Sequence, residues 1–469
     1  ELNMTDLLCK KRNTFETKNQ AFIDKAFAYC EGYKNFLNDS YIERAGIEQI
    51  KKTAEEKGFK PFDFKKEYKP GDKFYYIQKE KSMMLCDIGS DDIENGFNLV
   101  AAHMDCPRLD LKPSPLYDDN GIAFFQTHYY GGIKKYQWVT IPLILCGKIF
   151  KKDGSSIDVL IGKDKNDPIF YISDLLPHLA SEQEKKPLYN AISGEDLNVI
   201  IGTRYEKKSD GKTDKEKNKT DNSDTPKYYA MKLLNEKYGI TEEDFYTAEL
   251  SFVPNYEARD VGLDRSLIAS AGHDDRVCCY PAISAIFDKI SSKKTSVVLL
   301  ADKEEIGSIG ITGMRSVFWY DVLSSMIENM KKNKYVAFKN STAISADVAA
   351  AFDPIYSSVY DKNNSADLNC GFAVYKYSGR GGKSGASEAD PSFMALLRNL
   401  FDSHEIEYQF YELGKIDAGG GGTVSQFIAD RNISVVDMGV PIISMHAPYE
   451  VAAKTDIYNM YLALKAYFE

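Results

Sequence analysis

A chain of 469 residues, 43% of them hydrophobic, can bury enough surface for two folded units, or for one unit with a large insertion. Its formal charge of -10 repels phosphate backbones and anionic lipid, so neither nucleic acid nor a membrane is expected as a partner, whereas dications are attracted. No apolar run reaches the roughly eighteen residues of a membrane span, the start ELNMTDLLCKKRN lacks the basic-then-apolar order of a secretory signal, and the eight cysteines show no C-x-x-C spacing, which reads as reduced thiols in a cytoplasm.

In chain order, Phe22, Ala26, Cys30, Tyr33 and Leu37 fall at three- and four-residue steps and predict an amphipathic helix over 15–37. Further on, short apolar runs alternate with helical patterns in the manner of an α/β domain, and 97–102 is the first buried strand. Residues 110–250 read instead as β-rich, with strands at 122–130, 138–145 and 197–202. They are expected to form a domain inserted between two parts, 1–109 and 251–469, of a mixed-sheet α/β domain. Within the insertion, 206–227 (EKKSDGKTDKEKNKTDNSDTPK) has no large apolar residue and is expected to be a mobile loop. Strands resume at 296–300, 343–345 and 435–438, and a helix through Tyr458, Tyr461, Leu462 and Tyr467 closes the chain.

The chemistry sits just past those strands. The strand 97–102 runs into His103, Met104 and Asp105, and in open α/β sheets the carboxyl ends of strands face the ligand crevice. A neutral imidazole is a good zinc ligand, and a carboxylate two residues on can accept its other ring N–H; a capped turn is the alternative. The strand at 296–300 leads to Asp302, Lys303, Glu304 and Glu305, and crowded carboxylates are costly unless a cation compensates them. One of the adjacent pair can bind metal while the other faces water; a solvated acidic loop is the plainer reading. Asp347 follows 343–346, where a helix cap would also serve. His446 ends the double apolar run from 435 to 444, where a core histidine is common. Asp274 and Asp275 precede a helix they could simply cap. Together these acids and two imidazoles make an N/O ligand set that suits zinc, manganese or cobalt.

The order of motifs resembles the aspartyl aminopeptidase family of two-metal zinc peptidases, including its bacterial members. The likeness runs through AAHMDCPRLDLKPSP, HYYGG, LLPHLA, GHDDRVCC, DKEEIGS, SADVA, GRGGKSGASEAD, GGGGTVSQF and MGVPIISMHAPYEV. The resemblance implies a metallopeptidase catalytic domain with an inserted oligomerisation domain, which builds dimers that grow into a dodecamer. It implies two divalent ions per subunit, zinc first. His103, Asp274 and Asp347 would hold one and Asp274, Glu305 and His446 the other, with Asp274 as bridge. Asp105 would orient His103, and Glu304 would be the general base for attack of a bridging water on the N-terminal peptide bond of substrates with a free α-amino group. His178 in LLPHLA would reach the neighbouring subunit's site, or else is a surface residue. Lys376 would lie near the substrate, or else at a solvated strand edge.

Two departures stand out: Asp275 replaces the asparagine of many members, so either Asp274 or Asp275 could bridge, with the following helix favouring Asp274. The acidic and basic pair expected after Trp138 is missing, so the acidic-residue preference in the family's name does not carry over with that motif. An amidohydrolase or deacylase on a related fold and a catalytically silent assembly protein are the competing readings.

Overall fold

The computed structural model describes residues 7–205, 225–290, 293–385 and 387–469. The stretch 206–224, nearly all of the expected mobile loop, lies outside them, and Pro226 and Lys227 already belong to the helix Pro226–Tyr238. None of the described helices is long and apolar enough to cross a membrane. The chain divides into two compact units: 1–106 with 257–445 and 449–469, and 107–256 with the short stretch 446–448.

The first unit is built on a nine-stranded sheet ordered Lys60–Pro61, Lys73–Gln78, Ser82–Asp87, Thr295–Ala301, Phe97–His103, Thr342–Ala346, Ser434–Gly439, Phe372–Tyr375 and Tyr408–Tyr411. Four central strands, from Thr295–Ala301 to Ser434–Gly439, run parallel. They read as near-continuous apolar runs because both faces are covered. Successive side chains alternate between the faces: Val100, Ala102, Val298, Leu300, Ile344 and Val436 join one core, while Leu99, Ala101, Val297, Leu299, Ala343 and Val435 join the other. The first core also holds residues from the helices Gln20–Asp39, His273–Asp288, Pro391–Ser403 and Lys454–Phe468. The second holds those from Phe318–Asn329, Lys334–Lys339 and Ser425–Ala429.

The N-terminal helix expected over 15–37 is interrupted. Thr14–Thr17 ends at Lys18, and Asn19 caps a fresh helix, Gln20–Asp39, by accepting a hydrogen bond from the Phe22 N–H. A smaller sheet of the same unit, ordered Arg259–Val261, Leu267–Ser270, Glu450–Ala453, Pro441–Ile443 and Ala349–Ala350, ties together the segments just before Asp274 and just after Asp347.

The second unit holds a six-stranded antiparallel sheet, ordered Ser156–Ile161, Leu143–Phe150, Ala248–Pro254, Arg108–Asp119, Ile122–Tyr130 and Val199–Gly202. The strand expected over 138–145 lies later, at Leu143–Phe150. Trp138, 1% exposed, anchors the unit's core from the end of a short turn instead.

Candidate metal centre

Strand register explains how residues far apart in sequence converge. Ala301 stands opposite His103 and Ser345 opposite Ala101, so the chain past Ala301 and past Ala346 emerges beside His103. Beyond Ala301 the backbone turns at once. Lys303 takes the left-handed region at φ 66, and Glu304–Ile306 form one tight turn. Asp105, fully buried, fastens that turn: Glu304 N–H donates to its Oδ1 at 3.1 Å and Glu305 N–H to its Oδ2 at 3.2 Å.

His103 is 1% exposed. Its Nδ1 bonds the Asp105 carbonyl oxygen at 3.0 Å, with the Asp105 carboxylate 3.3 Å away, which turns Nε2 toward the acids. From Nε2, Asp274 Oδ1 is 3.2 Å away, Asp347 Oδ1 3.8 Å and Glu304 Oε2 3.9 Å. The nitrogen is buried and has no hydrogen-bond partner. Asp275 is used differently: its Oδ2 accepts the His103 backbone N–H at 3.3 Å, at the end of the strand. The neighbouring His273 is a core residue, bonding Tyr33 through Nδ1 and the Ile268 carbonyl through Nε2, and burial pushes its pKa down to about 4.

The electrostatics describe a centre short of positive charge. Burial, with the charges of Asp347, Asp274 and Asp105, pushes the Glu304 carboxyl up to about 8 even though His103 opposes this. Burial also raises Asp347, with Asp274 adding to the effect. Burial alone would lower His103, but Asp105, Asp274 and Asp347 outweigh it and hold the imidazole well above its usual range. A buried imidazole nitrogen with no hydrogen bond, facing several carboxylates, fits a divalent cation. Two groups of three offer one ligand atom each, within 4.8 Å of one another: His103, Asp274 and Asp347, and Asp274, Glu305 and His446. Asp274 belongs to both; Glu304 and Asp275 belong to neither. His446 has φ 64, a costly region for a residue with a Cβ. Its Nδ1 bonds the Gly132 carbonyl oxygen at 2.8 Å, which fixes the protonated nitrogen. A Cβ at Gly132 would stand 3.3 Å from that Nδ1, a physical reason for the second glycine of HYYGG.

Residues 36–468 match the family described as Aminopeptidase I zinc metalloprotease (M18). The chain belongs to the M18 aminopeptidase family. Among its M18 relatives, the "Probable M18 family aminopeptidase 1" of Clostridium acetobutylicum is 44% identical over 97% of each chain. The crystal structure of the M18 family aminopeptidase from Thermotoga maritima superposes with a TM-score of 0.90 at 36% identity, covering 98% of this chain and all of that one. The S. cerevisiae mApe1 dodecamer shares the fold, with a TM-score of 0.75 at 20% identity over 96% of this chain and 97% of that one.

Two residues that the family resemblance singled out belong to neither ligand group. His178 is exposed in the short turn Pro177–Leu179 of the second unit. Lys376 is exposed just past the strand Phe372–Tyr375, with its carbonyl accepting the Ala389 N–H. Sequence reasoning missed Glu450, whose carboxylate accepts the Asp274 N–H; a side chain that works through another residue's main chain leaves no ligand spacing to read.

Proposed function

We propose that this M18 aminopeptidase works with two cations in each subunit, zinc as in its family's description, and that Glu304 is the general base. His103, Asp274 and Asp347 would hold one cation and Asp274, Glu305 and His446 the other, with Asp274 shared. When bound, such cations polarise the scissile carbonyl and acidify water. The observation that carries the assignment of roles is the place of Glu304: its carboxylate stands 3.9 Å from His103 Nε2 yet belongs to neither ligand group. It is therefore held at the centre with a proton-accepting oxygen to spare. Glu304 Oε2 takes a proton from the attacking water and passes it to the leaving amine, while Asp105 fixes the base by its grip on the Glu304 and Glu305 N–H groups. The crowded carboxylates favour a substrate whose free α-ammonium adds positive charge. An N-acetylated peptide should accordingly resist hydrolysis, whereas a deacylase would accept it.

Metal removal tests the reading. Protein stripped by a chelator until elemental analysis finds no metal should lose peptide hydrolysis and regain it with zinc, cobalt or manganese. Full turnover in metal-free protein would overturn it.

The second unit supports assembly with further copies of the chain. Leu175, Leu176 and Leu179 are 51, 50 and 67% exposed around His178, with Leu188 and Tyr189 at 61 and 70%. An exposed apolar run of this kind marks an interaction surface. The reading is a homo-oligomer built from dimers, a dodecamer as the mApe1 title names, in which His178 serves a neighbour's site. Lys376 is the proposed substrate-side lysine, and the cytoplasm is the proposed compartment.

A further inference from the structure

We infer that Glu450 is a positioning residue of the metal centre: its buried carboxylate holds the main chain of Asp274 and thereby aims the carboxylate shared by both ligand groups. This rests on the ligand roles proposed above.

Glu450 is 1% exposed and opens the strand Glu450–Ala453, where its Cα partner is Ser270 on the antiparallel strand Leu267–Ser270. From there its Oε2 accepts the Asp274 N–H at 3.1 Å. That N–H needs an outside acceptor, because Asp274 (φ -79, ψ 105) and Asp275 (φ -117, ψ 27) are not helical although they open the helix His273–Asp288. The first N–H groups of a helix have no partner within it. At Asp274 Glu450 supplies the acceptor, and the backbone direction from which the Asp274 side chain departs is set there.

A buried carboxylate needs positive charge nearby. Arg276, 4% exposed, lies two residues beyond Asp274 in the same helix, His273–Asp288. Gly272 makes room for it. With φ 73, a Cβ there would lie 2.4 Å from Arg276 Nη1 and 2.9 Å from Cys106 Sγ. The turn into Asp274 is thus pinned by a glycine that admits the guanidinium and by a carboxylate that takes the N–H. Glu450 also follows His446 by four residues, so a single short segment supplies one proposed ligand and the anchor of another.

The test uses the full-length protein, loaded with cobalt, in Glu450→Met, Glu450→Gln and Asp274→Asn forms. Removing a group that orients a metal ligand typically costs about 10- to 100-fold in affinity or activity. Glu450→Met, which keeps the stem and removes the acceptor, should weaken cobalt binding by about that factor, change the visible cobalt spectrum and lower kcat with little change in KM. Glu450→Gln retains an oxygen that can accept the Asp274 N–H and should stay close to the parent in all three. Should Glu450→Met fail to fold, Glu450→Asp carries the same expectation, because it withdraws the acceptor by one methylene and keeps the charge. Parental cobalt affinity and spectrum in the acceptor-less variant would overturn the inference, as would equal losses in Glu450→Gln. Asp274→Asn separates the two readings. If it loses cobalt while Glu450→Met keeps it, only the positioning role fails; if it retains two tightly held ions, the ligand reading itself fails.

Discussion

Two neighbouring glutamates have different surroundings at this centre, and the difference predicts different mutants. Glu305 joins a ligand group, whereas Glu304 approaches the imidazole without joining one. Glu304→Gln should therefore keep its metal and lose turnover by about 100- to 10,000-fold, the usual weight of a general base. His103→Ala should lose metal as well. Elemental analysis of the two purified variants beside a peptidase assay checks this, and equal metal contents would dissolve the division between base and ligand. The acids at the strand ends were legible because each follows an apolar run. The sequence favours Asp274 over Asp275 as the bridge only through the following helix; the fold adds that the two adjacent acids are used differently, one facing the imidazole and the other accepting a strand-end N–H.

Among the elements, the buried parallel strands could be read within a residue or two, since an uninterrupted apolar run has few other uses. The segment 138–150 could not. Trp138 and Ile141 look like strand residues, but they pack into the second unit's core from outside the strand, which then continues through Gly147 and Lys148. The break at Lys18 was also hidden, because apolar spacing continues across it while the new start depends on one asparagine cap. How the helices are fastened to the smaller sheet depends on charge. Asp260, on the strand Arg259–Val261, meets Lys34 and Lys454 Nζ at 2.9 Å each and Arg265 Nε at 2.7 Å, linking the helices Gln20–Asp39 and Lys454–Phe468. Burial would raise its pKa, but the three cations outweigh that and hold it well below the usual carboxylate range. A depressed folded-state pKa means that this stabilisation is complete above the unfolded value near 4 and is lost as pH falls toward the folded value. Asp260→Asn strands Lys454, 1% exposed, and should cost about 3 kcal/mol, as breaking a buried pair typically does. Denaturant midpoints of parent and variant should differ at pH 7 and converge as the pH drops below about 4.

For the whole molecule, an oligomer with His178 working in a neighbour's site predicts complementation. Subunits carrying Glu304→Gln and subunits carrying His178→Ala should each be inactive and should regain activity when mixed under conditions shown to exchange subunits. A positioned donor at the reacting oxyanion is typically worth about 100- to 1,000-fold, so recovery would be easy to see; exchange without recovery would leave His178 a surface residue. The chain's route also bears on its synthesis. The strand Phe97–His103 sits between Thr295–Ala301 and Thr342–Ala346, both made only after residues 107–256 of the second unit. At about 5 to 20 residues per second, the nearer partner follows by roughly 10 to 40 seconds. Through that interval a strand buried at the centre of the finished sheet leaves the ribosome with both edges open, the state most prone to pair with the wrong chain. The histidine that anchors the centre is thus translated early and placed late, so cells making this protein quickly should need a chaperone to shield it in between.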